Sequence, residues 1–304
     1  MAFRRILFVG FIAFYTLFPV SSFAFSLTPG VIDFGSPKGE TARAEFLLIN
    51  TSSEEKTFYF DTQNFTASES GSPIFDVSSK KDLATWMTLP SSLNVNANSQ
   101  SQISFSVSVP DDIPSGSYQA AIVISEYPSQ IVATNGATIE ATIALLVFVT
   151  VEGENVAHFG LLDATADFTD RIVSLPTGTI SYRIQNQGNI LLIPSGVFVI
   201  RDVFGRALYE QPLNISQGRV LPGITRTFSE ETLSPQSWKE FLGAQLRFWS
   251  FGPMTGEVLV TAEEQESIAS FSFWYVPWQL GVVAFGCLFL IWLLMHPLFH
   301  SKKS

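Results

Sequence analysis

The sequence has almost no cysteine and little histidine. Cys287 is the only cysteine, and His158 is the only histidine between residues 25 and 272. These numbers exclude a disulfide framework and a zinc site built from cysteine and histidine in that region. Motifs such as HExxH, GxSxG and the P-loop are also missing, and a lone histidine is more often a loop residue than a catalytic base. We therefore predict a protein that is not an enzyme, with no catalytic residue, no metal site and no cofactor.

Calcium is the one metal that this inventory leaves open, because it prefers clustered oxygen ligands. The candidates are Asp111 with Asp112, and Asp167 with Asp170. The first pair closely precedes Pro114, which favours ordinary polar loop residues. A calcium site therefore remains an alternative, and the prediction is that no metal is bound.

Charged residues are missing from two long segments, one near each end of the chain. After Arg4 and Arg5, residues 6–20 are uncharged and mostly apolar, and Ser22-Phe23-Ala24 supplies small residues at the positions that precede a cleavage site. This order is typical of a secretory signal peptide. We predict that residues 1–24 are the signal peptide, cleaved after Ala24, and an uncleaved anchor is the alternative.

The second uncharged segment lies between Glu266 and Lys302. Residues 275–296 would form a helix of about 33 Å, which matches a hydrocarbon core of about 30 Å. Trp274, Tyr275 and Trp278 form an aromatic belt at its start, and two lysines follow it. Lysines beside a span favour the cytoplasmic side. We predict a single transmembrane helix at 275–296, a cytoplasmic tail at 297–304 and an extracytoplasmic N-terminal part held at the cytoplasmic membrane.

The segment between signal and span, residues 25–272, is acidic, with 27 acidic and 13 basic residues. Nucleic acids and anionic lipids are bound by basic patches, so neither is an expected partner. Residues 25–155 hold 15 acidic and 5 basic residues, whereas residues 156–272 hold 12 and 8. A negative surface of this kind commonly keeps a protein soluble.

Alternation of apolar and polar residues dominates this segment. Ile103, Phe105, Val107 and Val109 alternate with polar residues. Residues 139–151 have one apolar face, and the other face is also apolar at Leu146 and Phe148, which predicts a strand buried on both sides. Many short strands separated by turn signals indicate β-sandwiches. We predict an all-β fold: two tandem immunoglobulin-like domains at 25–155 and 156–272, followed by the transmembrane helix. Short helical turns are expected at 81–86 and 234–241, and a strand at 244–249.

Several landmarks occur in an order that resembles the bacterial WxL-interacting protein family and related membrane-tethered immunoglobulin-like surface proteins. They are Pro29, Gly39, Asn50, Trp86, Leu89-Pro90, Val109-Pro110, Pro114 to Tyr118, Asn186 to Asn189, Asp202 to Gly205, Val220 to Gly223 and Phe271 to Pro277. The resemblance covers essentially the whole mature chain. It implies an N-terminal domain that binds peptidoglycan and a second domain that binds partner proteins or host ligands.

Two places are candidates for ligand binding. Trp86 would stack on a sugar ring if it were exposed, although its apolar neighbours favour a plug between two sheets. Phe248, Trp249 and Phe251 would form an exposed apolar edge that faces a partner or the bilayer. The predicted function is a membrane-anchored binding or scaffold protein that engages cell-wall polymer or an exported surface protein. The alternative is a chaperone-like assembly factor for exported subunits, for which residues 139–151 are the candidate edge strand.

Overall fold

A computed structural model describes residues 25–78, 80–128, 142–168 and 173–300 of the chain. The predicted signal peptide at 1–24 and the two lysines near the C-terminus lie outside these residues. Most of these residues belong to β-strands and the turns between them, and one long apolar helix follows the last strand. The all-β fold class with a single apolar helix at its end is therefore confirmed.

The described residues form seventeen strands and three helices. The strands are β1 (Phe25–Thr28), β2 (Val31–Ser36), β3 (Thr41–Asn50), β4 (Lys56–Ala67), β5 (Pro73–Asp76), β6 (Met87–Thr88), β7 (Ser92–Val95), β8 (Ser99–Ser108), β9 (Gly116–Ser125), β10 (Thr142–Val151), β11 (Phe159–Phe168), β12 (Gly178–Asn186), β13 (Ser195–Arg201), β14 (Ala207–Leu213), β15 (Thr225–Glu231), β16 (Gly252–Ala262) and β17 (Gln265–Tyr275). The helices are α1 (Leu83–Trp86), α2 (Trp238–Phe248) and α3 (Trp278–His300).

The strands before residue 152 form two sheets. One has the order β1-β3-β8-β6, and the other has the order β2-β10-β9-β4-β5 with β7 also paired to β4. Their core contains alternate residues of both sheets, such as Phe46 and Phe105 on one and Phe60 on the other. This is the immunoglobulin-like packing that the alternating pattern predicts. In β10, Val147 and Val149 are buried and so is Phe148 on the opposite face, and the strand lies inside its sheet, between β2 and β9.

The later strands form the second sandwich, with one sheet β11-β12-β15 and another β14-β13-β16-β17. Residues of both sheets share one apolar core, including Tyr182, Phe198, Phe228 and Val258. Tyr182 and Phe228 stack with ring centroids 5.2 Å apart. Burial, the main cause, and the charge of Glu230 raise the pKa of Tyr182 above its ordinary value although Arg226 acts to lower it, so this phenol is neutral at physiological pH.

The expected strand at 244–249 is wrong, since these residues belong to helix α2 and its C-cap. Ser237 caps the helix: its Oγ accepts a hydrogen bond from Glu240 N at 3.2 Å. The Glu240 carboxylate in turn accepts one from Gln236 N at 3.0 Å. The spacing of Ala244, Leu246 and Phe248 fits a strand, but Phe241, Ala244 and Phe248 also recur at the three- to four-residue spacing of a helix face. The cap decides between the two.

Helix α3 begins three residues later than predicted, because Tyr275 ends β17 and is buried. The stretch Trp278–Met295 has a mean hydropathy of 2.1. It is long and apolar enough to cross a membrane, and most of its apolar side chains are exposed. Exposed leucine and phenylalanine at this density are unfavourable in water.

The chain divides into two compact units. Described residues within 1–64, 77–111 and 119–149 form unit 1, whereas those within 65–76, 112–118 and 150–304 form unit 2. Two short segments from the N-terminal half are grouped with unit 2, which no local sequence pattern indicates. The domain limits at 25–155 and 156–272 stay a prediction.

Candidate functional site at the base of unit 2

The strand registers of unit 2 bring several connections to the same end of its sandwich. Arg201 pairs with Thr255, Thr255 pairs with Ser272, and Gly252 pairs with Tyr275. The β13–β14 turn, the α2–β16 turn and the start of α3 therefore lie at one end, which we call the base of unit 2. The β16–β17 turn at Glu263 and Glu264 lies at the opposite end, which we call the far end.

Exposed aromatic side chains are concentrated at the base. The exposed fraction is 81% for Phe204, 74% for Trp249 and 67% for Phe251, and Trp274 and Trp278 are also exposed. Burying a large aromatic side chain contributes strongly to association in water or at a membrane interface. We call these five residues, together with Val203, the aromatic collar.

A fixed turn presents Val203 and Phe204. The buried carboxylate of Asp202 accepts hydrogen bonds from Phe204 N at 2.9 Å, Arg206 N at 3.0 Å and Arg206 Nε at 2.7 Å. Burial acts to raise the pKa of Asp202, but the hydrogen bonds from Arg206 and Phe204 outweigh it and lower the pKa below its ordinary value. The turn is thus held in one conformation with its two apolar side chains pointing outward.

Helix α2 has three different faces. At about 3.6 residues per turn, Phe241, Gln245 and Phe248 fall on the side that packs against β14 and the core. Lys239, Glu240 and Arg247 are exposed and fall on the opposite, charged side. A third stripe is apolar and largely exposed, with Trp238, Leu242, Leu246 and the capping Trp249. A helix that packs only on core and water would not need this third face.

The placement of Phe248 corrects part of the sequence interpretation. Phe248 is only 3% exposed and stacks on Tyr275, with ring centroids 5.6 Å apart. Tyr209 stacks on it from another side at 6.3 Å. Phe248 therefore belongs to the core, because helix α2 turns it inward while its neighbour Trp249 points outward. Trp249 and Phe251 are placed together in the collar.

A buried polar network joins the first turn of α3 to the sandwich. Gln245 Nε2 donates to Gln279 Oε1 at 2.7 Å and to Ser174 O at 2.9 Å, and Gln279 Nε2 donates to Ser174 Oγ at 3.0 Å. Val276 N donates to Val173 O at 2.8 Å. Only Val276 and Pro277 separate β17 from α3. The apolar helix is consequently a fixed extension of unit 2.

An apolar groove lies between α2 and the start of α3, with a volume of about 830 Å³. Leu242, Leu246 and Trp249 line one wall, and Val276, Leu280 and Ala284 are among the residues of the other. Gln245 also lines it, and its Oε1 is buried without a hydrogen-bond partner among the described residues.

The remaining sequence candidates lie elsewhere. Trp86 is 8% exposed and ends helix α1, so its ring is not available to stack on a sugar. His158 Nδ1 lies 3.0 Å from Gln265 Nε2 at the far end of unit 2. Asp170 lies outside the described residues, and within them no three histidine, cysteine or acidic side chains are grouped as metal ligands.

Comparisons with known proteins assign no family to the chain. No protein family model matches it, and no curated protein matches it. The immunoglobulin-like fold expected from the resemblance to WxL-interacting proteins is present, but membership of that family gains no support.

Solved structures give loose similarities over about four fifths of the chain. The class 5 fimbriae chaperone CfaA is 12% identical, with a TM-score of 0.41 over 83% of this chain and 99% of that chain. The E. coli chaperone DraB is 9% identical, with a TM-score of 0.37 over 84% of this chain and 96% of that chain. A chain in the complex of CsuC and CsuE from Acinetobacter baumannii is 11% identical, with a TM-score of 0.37 over 81% of this chain and 97% of that chain. Similarities this weak assign no function to the chain.

Sequence patterns missed part of the collar. In the sequence, Val203 and Phe204 stand out only as part of the landmark Asp202 to Gly205, because nothing local shows that this segment lies beside the apolar helix. Trp238, Leu242 and Leu246 recur at intervals of four residues, a signal that the strand assignment over residues 244–249 concealed. Gln245 and Gln279 carry no signal at all, since their partners are distant in sequence.

Proposed function

We propose that this chain is a non-enzymatic, single-pass membrane protein that binds an exported protein at the outer face of the cytoplasmic membrane. Helix α3 crosses the bilayer, with residues 25–275 outside and the terminal lysines inside. The observation that carries the proposal is the fixed junction between unit 2 and α3, because the Gln245–Gln279 network holds the sandwich at the point where the apolar helix begins.

Two further features support anchoring at a membrane surface. Trp274 and Trp278 flank the start of the helix, where aromatic side chains favour the bilayer interface. The side chains of α3 that are exposed in the structure, such as Leu290 and Leu294, require an apolar environment. A scaffold role without chemistry is supported by His158, which is held by Gln265 at the far end rather than in a cleft.

Strand β5 supports a protein as the partner. It ends the order of the six-stranded sheet, and it exposes Ile74 and Phe75. Phe75 packs on Phe65 with ring centroids 6.2 Å apart, so the edge is held in place by its own hairpin. An ordered sheet edge with exposed apolar side chains is suited to adding a strand from another polypeptide.

A chaperone-like assembly factor is the second candidate, and the same edge favours it. The segment predicted for strand donation is not an edge where it is described, because β10 lies between β2 and β9. Any strand addition would instead use β5. A chaperone would hold its client only until assembly, whereas a scaffold would retain it.

Photocrosslinking from the β5 edge tests the proposal. A photoreactive side chain at Phe75 of the full chain in cells should capture a protein that carries an export signal, and Ile74→Asp should abolish capture. The same probe at the exposed Ile215 is the matched control. Equal adducts at both positions, or retention on purified peptidoglycan with no adduct at Phe75, would contradict a protein partner.

A pulse-chase with the same probe separates the two candidates. Adducts that persist after the partner has matured indicate a scaffold. Adducts confined to newly exported partner, together with partner degradation when the chain is deleted, indicate a chaperone. Protease added outside spheroplasts should remove residues 25–275, and full protection would refute the orientation.

A further inference from the structure

One wall of the groove between α2 and α3 is formed by the first turns of α3. These are the turns with which a spanning helix would enter the membrane. From Trp278, where the helix begins, to Ala284 it rises about 9 Å, which is less than the half-thickness of about 15 Å of a hydrocarbon core. The groove is open along this length, and its walls are apolar on both sides. If α3 spans the bilayer, the groove lies at the depth of the outer leaflet.

The three faces of α2 suit a helix that lies between the protein core, the lipid and water. Leu242, Leu246 and Trp249 of the apolar stripe line the groove, while Lys239, Glu240 and Arg247 occupy the charged side. A helix with a charged face and an apolar face that carries tryptophan and leucine lies in the plane of the interface. Its third face is packed on the core through Phe241 and Phe248, so the helix is preformed rather than folded on contact.

The rest of the aromatic collar lies at the same end. Val203 and Phe204 are held outward by the Asp202 turn, and Trp274 is the next-to-last residue of β17, close to the start of the apolar helix. These side chains come from three separate connections of the sandwich. Their shared level follows from strand register, so one plane can contact all of them.

We propose that α2 is a second membrane element, lying in the outer leaflet, and that the groove between α2 and α3 holds an acyl chain of an outer-leaflet lipid. This inference rests on the proposed span by α3. It goes further, because it makes the base of unit 2 a lipid-contacting surface and fixes the orientation of the sandwich on the membrane. A partner helix or a second copy of the chain in the groove would be a different occupant.

A neighbouring pair of residues on α2 offers a matched test. In the full chain with Cys287→Ala, a single cysteine at Leu246 or at Arg247 carries an environment-sensitive fluorophore, and the protein is reconstituted in lipid vesicles. Lipids with a spin label near the start of the acyl chain should quench the label at residue 246 more than the label at residue 247. Aqueous iodide should show the reverse order. The same measurements at Trp249→Cys should follow residue 246.

A label at one other position, Leu290, keeps the outcomes distinguishable. A label at Leu290→Cys should be quenched by deeply labelled lipids if α3 spans the bilayer, and failure there refutes the span itself. Quenching at residue 290 together with equal, iodide-accessible signals at 246 and 247 refutes only the lipid-filled groove. Protection of residue 246 from both quenchers, with a cross-link to another polypeptide, shows that a protein occupies the groove and also overturns the proposal.

The groove itself is tested by filling it. Gly281 has no atom within 4 Å of an added side-chain carbon, so Gly281→Leu and Ala284→Phe place bulk in the groove without disturbing the core. Both variants should lose lipid quenching at residue 246 while residue 290 is unchanged. Unaltered quenching at residue 246 in both would contradict an acyl chain in the groove.

Discussion

The two ends of the sandwich in unit 2 differ in what their connections expose. At the base, two connections present Val203, Phe204, Trp249 and Phe251 to the exterior. At the far end, the β16–β17 turn presents Glu263 and Glu264, and a hydrogen bond from Phe159 N to Gln265 Oε1 joins the start of β11 to the start of β17. Turns are free to be polar at both ends. The concentration of aromatic residues at one end therefore reflects the environment of that end rather than a requirement of the fold.

Two adjacent aromatic residues at the base, Phe248 and Trp249, should differ in how much they stabilise the fold, because Phe248 is buried and Trp249 is exposed. Phe248→Ala should lower the free energy of unfolding of unit 2 by about 3–5 kcal/mol, because it removes a buried ring stacked on Tyr209 and Tyr275. Trp249→Ala should change it by no more than about 0.5 kcal/mol, since this ring is exposed. Thermal unfolding of the full chain in detergent measures both. Similar losses for the two variants would show that Trp249 is part of the core.

The polar network at the base should matter next most. Gln279→Leu leaves Ser174 Oγ and Gln245 Nε2 each short of one hydrogen bond, which typically costs about 1–3 kcal/mol. Faster hydrogen exchange at the end of β17 should accompany the loss of stability. The double variant Gln245→Leu/Gln279→Leu should lose less than the sum of the two single variants. Strict additivity would show that the two glutamines are not coupled.

The contrast between these two predictions shows what sequence can and cannot reveal. Alternation in Ile103 to Val109 and the uncharged run after Glu266 predict the sandwich fold and the apolar helix correctly, because both depend on local patterns of burial. Phe248 was misplaced because a strand and a helix share its local spacing. The Gln245–Gln279 contact depends on residues 34 positions apart, and such pairs follow only from tertiary structure.

The turn that presents Phe204 should be sensitive to pH. The pKa of Asp202 is lower in the folded protein than its ordinary value of 3.8. The ionised carboxylate therefore stabilises the fold fully at pH values above 3.8. That contribution is lost as the pH falls from there through the lower native pKa. Asp202→Asn should therefore lower the melting temperature at pH 7, and the difference from the unmodified chain should shrink near pH 3. Glu210→Gln on β14 is the control, and a difference independent of pH would exclude the carboxylate as the cause.

The smallest effects are expected for exposed residues at the two ends. Phe251→Ser and Glu264→Gln should each change the free energy of unfolding by no more than about 0.5 kcal/mol in detergent. In a bilayer they should diverge, since only Phe251→Ser removes a side chain that we place at the interface. Hydrogen exchange of α2 in nanodiscs should increase for Phe251→Ser alone. Equal hydrogen exchange of α2 in nanodiscs for the two variants would contradict a membrane contact at the base alone.

The most direct measurement compares two exposed loop tips, Phe204 at the base and Ile215 at the far end. Each is replaced by cysteine in the full chain with Cys287→Ala, spin-labelled and reconstituted in a bilayer. We expect the label at residue 204 to be more accessible to oxygen, which concentrates in the membrane, and the label at residue 215 to a water-soluble nickel chelate. Equal accessibility of both labels to the nickel chelate would contradict a membrane-facing base of unit 2.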